Sequence, residues 1–212
     1  MNQFLNSRLP PAFNGLVTFQ GDAHGKLDRL ARPGNTVIQV GDLGIGFVSP
    51  TAIHHKITNR SDLWFIRGNH DDPAACRRNS RYMGEWGSCG SLFFVSGAWS
   101  IDQAWRTEGR DWWHDEELSV GQASRAFDDY VAAKPRFMVT HDGPAGLFER
   151  GGAMMIQNFQ RSATSTLLQA MLEVHAPEWW IFGHHHVSRD FVEAGTRFRC
   201  LAELESITLA ID

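Results

Sequence analysis

Leu63-Trp64-Phe65-Ile66-Arg67-Gly68-Asn69-His70-Asp71 is the stretch that decides the fold. Its opening residues are apolar and aromatic and are closed by glycine, the pattern of a buried strand that ends in a turn. Beyond the glycine stand side chains that bind metals or carry protons. The same construction recurs on both sides. Upstream, residues 16–20 lead into Gly21-Asp22-Ala23-His24 and residues 36–40 into Gly41-Asp42. Downstream, residues 136–140 lead into His141-Asp142 and residues 179–182 into Gly183-His184-His185-His186. Five strand ends therefore carry candidate ligands. In open α/β sheets such an edge is where sites form, because several rigid strands deliver side chains to one place.

Between the first strands, helical segments are expected over 26–31 and 51–58, so this part alternates strand and helix as βαβ units of a largely parallel sheet do. A further strand is expected at 91–96. A helix opens at 115–118, and another spans Val120–Ala133 and stops before Pro135. Residues 158–174 form a helix ended by Pro177, with Ala163, Leu167, Ala170, Met171 and Val174 on one stripe at helical spacing. Residues 188–193, 197–201 and 206–211 alternate in part and are interrupted at Ala194-Gly195, as an antiparallel meander would be. No repeat or linker divides the chain. One α/β domain over 1–212 is expected.

With 212 residues, 42% of them apolar, the chain can bury a substantial core. Residues 1–15 hold two prolines and no long apolar run, which argues against a signal peptide or membrane anchor. No segment approaches the roughly 20 apolar residues of a membrane-spanning helix. Three widely spaced cysteines, an odd number, argue against a disulfide framework and for a reducing, cytoplasmic setting. Twenty basic against 24 acidic residues give a net charge of −4, so there is no general nucleic-acid patch and no global attraction to anionic lipid. An anionic substrate must be drawn in locally. The clusters Arg77, Arg78, Arg81 and Arg106, Arg110 are by default solvated loop faces.

Side chains two apart in an extended segment point the same way, so Asp22 and His24 can clasp one ion. By the same alternation His184 and His186 share a side and His185 faces away. Asp42 has two oxygens with lone pairs to spare and can bridge two ions. Asn69 adds a neutral oxygen and His141 an imidazole nitrogen, a mixed donor set suited to Mn, Fe, Zn or Ni. His54, His55, His114 and His175 lack such a setting and are ordinary surface or packing residues.

The order Gly-Asp-x-His, Gly-Asp, Gly-Asn-His-Asp, a lone His after a strand, then Gly-His-x-His, spanning 21–186, resembles the calcineurin-like metallophosphoesterase superfamily. The resemblance implies two packed mixed β-sheets flanked by helices, an αββα sandwich. It implies two divalent cations, Mn first, with Fe, Zn and Ni as alternatives. One cation would be held by Asp22, His24, Asp42 and His186, and the other by Asp42, Asn69, His141 and His184. His70 would be the general acid opposite a metal-bridging hydroxide; Asp71, next to it in this sequence, is the candidate to orient it. Two divalent cations, two aspartates and one hydroxide leave a charge of about +1 facing the substrate, which attracts phosphate despite the net negative chain.

Many relatives carry an aspartate three positions after the bridging one, and the Ser/Thr protein phosphatases follow it with a phosphate-binding arginine. Here Ile45 and Gly46 stand at those positions. Specificity is therefore sought in the tryptophan-rich middle, where Gly97-Ala98-Trp99-Ser100-Ile101-Asp102 and Trp105-Arg106 resemble a stretch of phage and bacterial metallophosphoesterases of unassigned substrate. Arg106 is the candidate replacement for the missing arginine, with Trp105 or Trp112 stacking on an organic leaving group. The expected activity is phosphomonoester hydrolysis of a phosphorylated small molecule, nucleotide or phosphoprotein. A phosphodiesterase acting on nucleotide or nucleic acid is the alternative, and a non-catalytic scaffold of the same fold stands behind both because all seven ligand positions and His70 are present.

Overall fold

A computed structural model describes residues 10–212; the expectation for the first nine residues lies outside the described ones. Among the described residues ten strands form two sheets. The first sheet has the order β10 (Ser206–Ile211), β1 (Gly15–Gln20), β2 (Thr36–Gln39), β3 (Leu63–Phe65), with β1, β2 and β3 parallel and β10 antiparallel to β1. The second runs β4 (Trp86–Cys89), β5 (Leu92–Val95), β6 (Phe137–Thr140), β7 (Trp179–Phe182), β9 (Thr196–Cys200), β8 (Arg189–Glu193), parallel from β5 through β9 and antiparallel at both edges.

Strand alternation builds three layers of apolar packing. Val17, Phe19, Ile38, Val40 and Ile66 of the first sheet meet Leu92, Phe94, Phe137, Val139 and Ile181 of the second in a shared core. Their strand neighbours Phe93, Val95, Met138, Trp180 and Phe182 point the other way, onto Ala126 and Tyr130 of α3 (Val120–Ala133) and Leu168, Met171 and Leu172 of α4 (Ala163–Val174). On the outer face of the first sheet, Val37, Leu63 and Phe65 pack against Leu27, Leu30, Ile57 and Cys76. Those last residues come from a 3₁₀ turn (Leu27–Arg29) and the residue that caps it, the π-helical turn His54–Thr58 that prolongs α1 (Pro50–Ile53), and α2 (Pro73–Arg77). Helices thus cover both outer faces, the expected αββα arrangement. No helix among the described residues is long and apolar enough to cross a membrane.

Local chemistry accounts for the differences from expectation. The helix expected over 26–31 shrinks to its 3₁₀ turn, and 115–118 stays in turns because α3 starts later, where Ser119 and Gln122 form a reciprocal capping box. Ser162 and Ser165 cap α4 in the same way, so the helix begins at Ala163 and not at 158. The closing meander is divided. β8 and β9 make the hairpin, but β10 leaves it and pairs with β1 in the other sheet, from Gly15 opposite Ile211 to Gln20 opposite Ser206.

Candidate metal centre

Parallel strands β1, β2, β3, β6 and β7 all deliver their following residues to one edge. Asp22, His24, Asp42 and His186 form one group of converging donor atoms there, and Asp42, His141 and His184 form a second. Asp42 is the member common to both. The strands do not present these residues through extended alternation. His24, Asp42, His184 and His186 all have left-handed backbone, with φ of 43°, 55°, 66° and 53°. Left-handed conformation in non-glycine residues is costly and clusters where function requires it. The chain therefore kinks where it leaves β1, β2 and β7, and at His24 the kink, rather than the pleat alone, sets how the ring meets Asp22. Room for this comes from glycine: a Cβ at Gly68 would overlap the Asp42 carboxylate and the His141 ring, and one at Gly183 would overlap Asp22.

The donor set fits divalent cations. His141 Nδ1 lies 2.8 Å from the Val40 carbonyl, so that nitrogen carries the proton and Nε2 is turned inward. Around that Nε2 stand Asp42 Oδ1 at 3.3 Å and Asn69 Oδ1 at 3.3 Å, acceptors that converge with nothing to donate. In the other group His24 Nε2 and His186 Nε2 face each other at 2.9 Å, with Asp22 Oδ2 3.0 Å from the latter. Acceptors crowded in this way call for positive charge at their centre, supplied by a proton or by a cation. Titration behaviour says the same. Burial disfavours the His141 imidazolium, yet the Asp42 and Asp22 carboxylates outweigh burial and hold the pKa up at about 10. Burial disfavours the Asp42 carboxylate too, and neighbouring histidines, His141 first, override it and keep its pKa far below the ordinary value. His184 behaves oppositely, its pKa pushed down to about 4 mainly by burial, so it offers a free lone pair at neutral pH.

His185 turns away from both groups, its Nε2 3.1 Å from Asp142 Oδ1 and its ring 4.2 Å from that of Phe148. His70 sits beside the groups. Its backbone N–H donates to Asp42 Oδ1 at 2.8 Å, and its ring centroid is 5.3 Å from that of His24.

Two expectations are corrected. Asp71 does not orient His70: its buried carboxylate accepts the backbone N–H groups of Leu43, Gly44, Ile45 and Gly68 and is fully used by them. Trp105 does not line the site, since it is 90% exposed on a 3₁₀ turn (Gln103–Trp105) directed to solvent. The tryptophans that matter are others. Trp99 lines a cleft of about 340 Å³ over the donor groups, together with Ile101, Asp102, Arg106, residues 156–160 and Ser162. Trp113 covers Gly46, where any side chain would meet its indole.

Arg106 is brought to the site. Asp102 grips it through two bonds of 2.7 and 2.8 Å, and its terminal nitrogens lie 2.9 and 3.0 Å from the two ring nitrogens of His70. Arg67 is not available to a substrate: it is 1% exposed and held by Glu85 and the Glu116 carbonyl. Sequence reasoning missed Glu116, which is buried and bonded to Ser100, itself bonded to Asn69. No spacing rule could have linked these three, because the loop between Ser100 and Glu116 follows no period.

A predicted phosphoesterase from Streptococcus pneumoniae is 14% identical, covers 94% of this chain and 84% of its own, and has a TM-score of 0.41. Phosphopantetheinyl hydrolase from Mycobacterium tuberculosis is 12% identical over 90% of this chain and 91% of its own, with a TM-score of 0.46. GAP50, described as the anchor in the inner membrane complex of Plasmodium, is 11% identical over 89% of this chain and 72% of its own, and its TM-score of 0.50 reflects a shared fold. No curated protein gives a significant match. The sequence model of the calcineurin-like phosphoesterases matches residues 15–188, from the first residue of β1 to just past His186. That span takes in both donor groups and every strand that delivers them, so the chain belongs to the calcineurin-like phosphoesterase family and is a hydrolase of phosphoesters.

Proposed function

We propose that the protein is a phosphomonoesterase acting on small organic phosphates with two divalent cations, Mn before Fe, Zn or Ni. Asp22, His24, Asp42 and His186 would hold one cation, and Asp42, Asn69, His141 and His184 the other. Bound there, the cations supply Lewis-acid neutralisation of phosphate charge and render water nucleophilic at neutral pH.

The contact between Arg106 and His70 carries the monoester reading. A neutral imidazole has one N–H and one lone pair, whereas both of its nitrogens here face guanidinium N–H groups at 2.9 and 3.0 Å. One donor is therefore always set against another. A phosphate oxygen entering between them would relieve the mismatch, accepting from the guanidinium fork and from the imidazole together. Burial keeps the His70 pKa below its ordinary value, Asp42 opposes this, and Arg106 adds to the lowering. An anion arriving at that point favours the imidazolium, so His70 can hold a proton and pass it to the departing oxygen. The cleft has room for one organic group flanked by Trp99, Ile101 and Phe159. Arg106→Ala is expected to lower kcat/KM by about 10–100-fold, the worth of one charged hydrogen-bond pair, chiefly through KM. Unchanged kinetics in a variant of unchanged Tm would remove Arg106 from the substrate site.

One observation favours a diesterase instead. A second groove of about 330 Å³, lined by Met154, Met155, Ile156, His185, Val187 and Arg189 among others, shares Ile156 and His185 with the cleft and could seat a second organic group. Hydrolysis of p-nitrophenyl phosphate and bis-p-nitrophenyl phosphate, compared with Mn²⁺ supplied, decides between them. The monoester is expected to lead by about tenfold or more in kcat/KM, a difference of about 1.4 kcal/mol in transition-state binding. A preference for the diester would overturn the monoesterase proposal.

A further inference from the structure

The tryptophan-rich segment reaches the turn Gly68-Asn69-His70-Asp71 twice. One reach is the Asp102 to Arg106 pair at His70. The other is a buried chain of side chains that ends on Asn69. Glu116, 3% exposed, accepts the Ser100 backbone N–H at 2.7 Å with one carboxylate oxygen and the Ser100 hydroxyl at 2.7 Å with the other. Ser100 Oγ in turn accepts from Asn69 Nδ2 at 3.1 Å. On its opposite side the Asn69 amide turns Oδ1 toward His141 Nε2, 3.3 Å away. The main chain braces the same region, because the Arg67 guanidinium donates to the Glu116 carbonyl and Gly97 N donates to Arg67 O.

We infer that Glu116 is a positioning residue which, through Ser100, fixes the face that Asn69 presents to the donor group of Asp42, His141 and His184. A carboxylate only accepts, so Ser100 has to spend its single hydroxyl proton on Glu116. That leaves Ser100 Oγ with lone pairs alone for its other neighbour, and only the NH₂ end of Asn69 can answer them. The carbonyl end is thereby turned inward, where a cation needs an oxygen. A glutamine at position 116 reverses the chain. Its NH₂ donates to Ser100 Oγ, the Ser100 proton is released toward Asn69, and the amide gains by rotating its carbonyl outward and its NH₂ inward, against the cation. The inference rests on the proposal that Asn69 is a metal ligand, and the experiment separates the two.

Metal-free protein is titrated with Mn²⁺ by calorimetry, with Tm recorded for each variant. Glu116→Gln is expected to weaken one of the two binding steps about 10–100-fold, as loss of a hydrogen-bonded support to a ligand does, and to leave the other unchanged. Ser100→Ala, which frees the amide without reversing it, should weaken that step only about fivefold, the worth of one neutral hydrogen bond. Asn69→Asp on the Glu116→Gln background should restore affinity, since a carboxylate accepts the released Ser100 proton and presents oxygen on both sides; on the native background it should bring no such gain. Unchanged Mn²⁺ affinity in Glu116→Gln or Ser100→Ala, or equal effects of Asn69→Asp on both backgrounds, overturns the positioning role. Unchanged affinity in Asn69→Ala overturns instead the assignment of Asn69 as a ligand.

Discussion

Asp42→Asn is expected to reduce phosphoester hydrolysis to below about a thousandth of the native rate, more than the 10–100-fold that loss of a supporting hydrogen bond costs a metal site. Asp42 alone belongs to both donor groups. Its Oδ1 lies against His141 Nε2 and the His70 backbone N–H, and its Oδ2 lies 3.8 Å from His24 Nε2. An amide has one oxygen and one NH₂, so one of the two groups must then face hydrogen atoms where it had a lone pair. The loss of a full charge weakens both. Asparagine is the cleanest replacement because the position has φ of 55°, which Asn tolerates better than alanine does. Metal analysis should show two Mn²⁺ ions in the native protein and at most one in the variant. Asp22→Asn, confined to the first group, should spare the second. Retention of both ions, or of more than about a tenth of the activity, would remove Asp42 from the bridging position on the arithmetic of one lost factor of ten.

The path of the chain up to the site was legible because strand and ligand share each short run of sequence. Apolar residues 16–20, 36–40, 63–67, 136–140 and 179–182 announce strands, and the polar residues that follow announce the edge. Pairing across long distances was not legible. β10 alternates as a hairpin strand would, and nothing local says that its partner is β1, nearly the whole chain away. The convergence of Asp22 with His24 was anticipated from the wrong geometry. Left-handed φ in four histidine and aspartate residues cannot be read from composition, since the whole site is needed to hold them there. α2 was missed although its signal was present, with Asp72 as N-cap accepting from Ala74 and Ala75 and Pro73 in the first turn. The middle segment divides similarly. Arg106 stood out as a cation near a polar motif, whereas Glu116, Ser100 and Trp113 owe their places to a loop that folds back over Gly46 and Asn69.

Asp71→Asn should show most plainly that a conspicuous acidic residue beside His70 acts through the fold. Asp71 Oδ1 accepts from Gly44 N at 2.8 Å and Ile45 N at 2.9 Å, and Oδ2 accepts from Gly68 N at 3.0 Å and Leu43 N at 3.2 Å. Burial, with Asp42 next, pushes its pKa up, while the backbone donors pull it back. An amide keeps one of these oxygens and places NH₂ against the other two N–H groups, which are buried. At about 1–3 kcal/mol for each buried group left unsatisfied, the variant should lose about 3–5 kcal/mol. For a domain of this size that lowers Tm by about 10 °C. Activity should fall as well, because the loop that Asp71 ties to Gly68 carries Asp42. The discriminating measurement is the pH profile of kcat/KM, taken well below the lowered Tm. A positional defect scales the whole curve down and leaves its limbs where they were, whereas loss of a group that orients the His70 ring displaces a limb. A variant with native Tm and a displaced limb would restore Asp71 to His70; a large loss of Tm with unmoved limbs leaves it where its four hydrogen bonds put it, holding the Asp42 loop against the turn that presents Asn69 and His70.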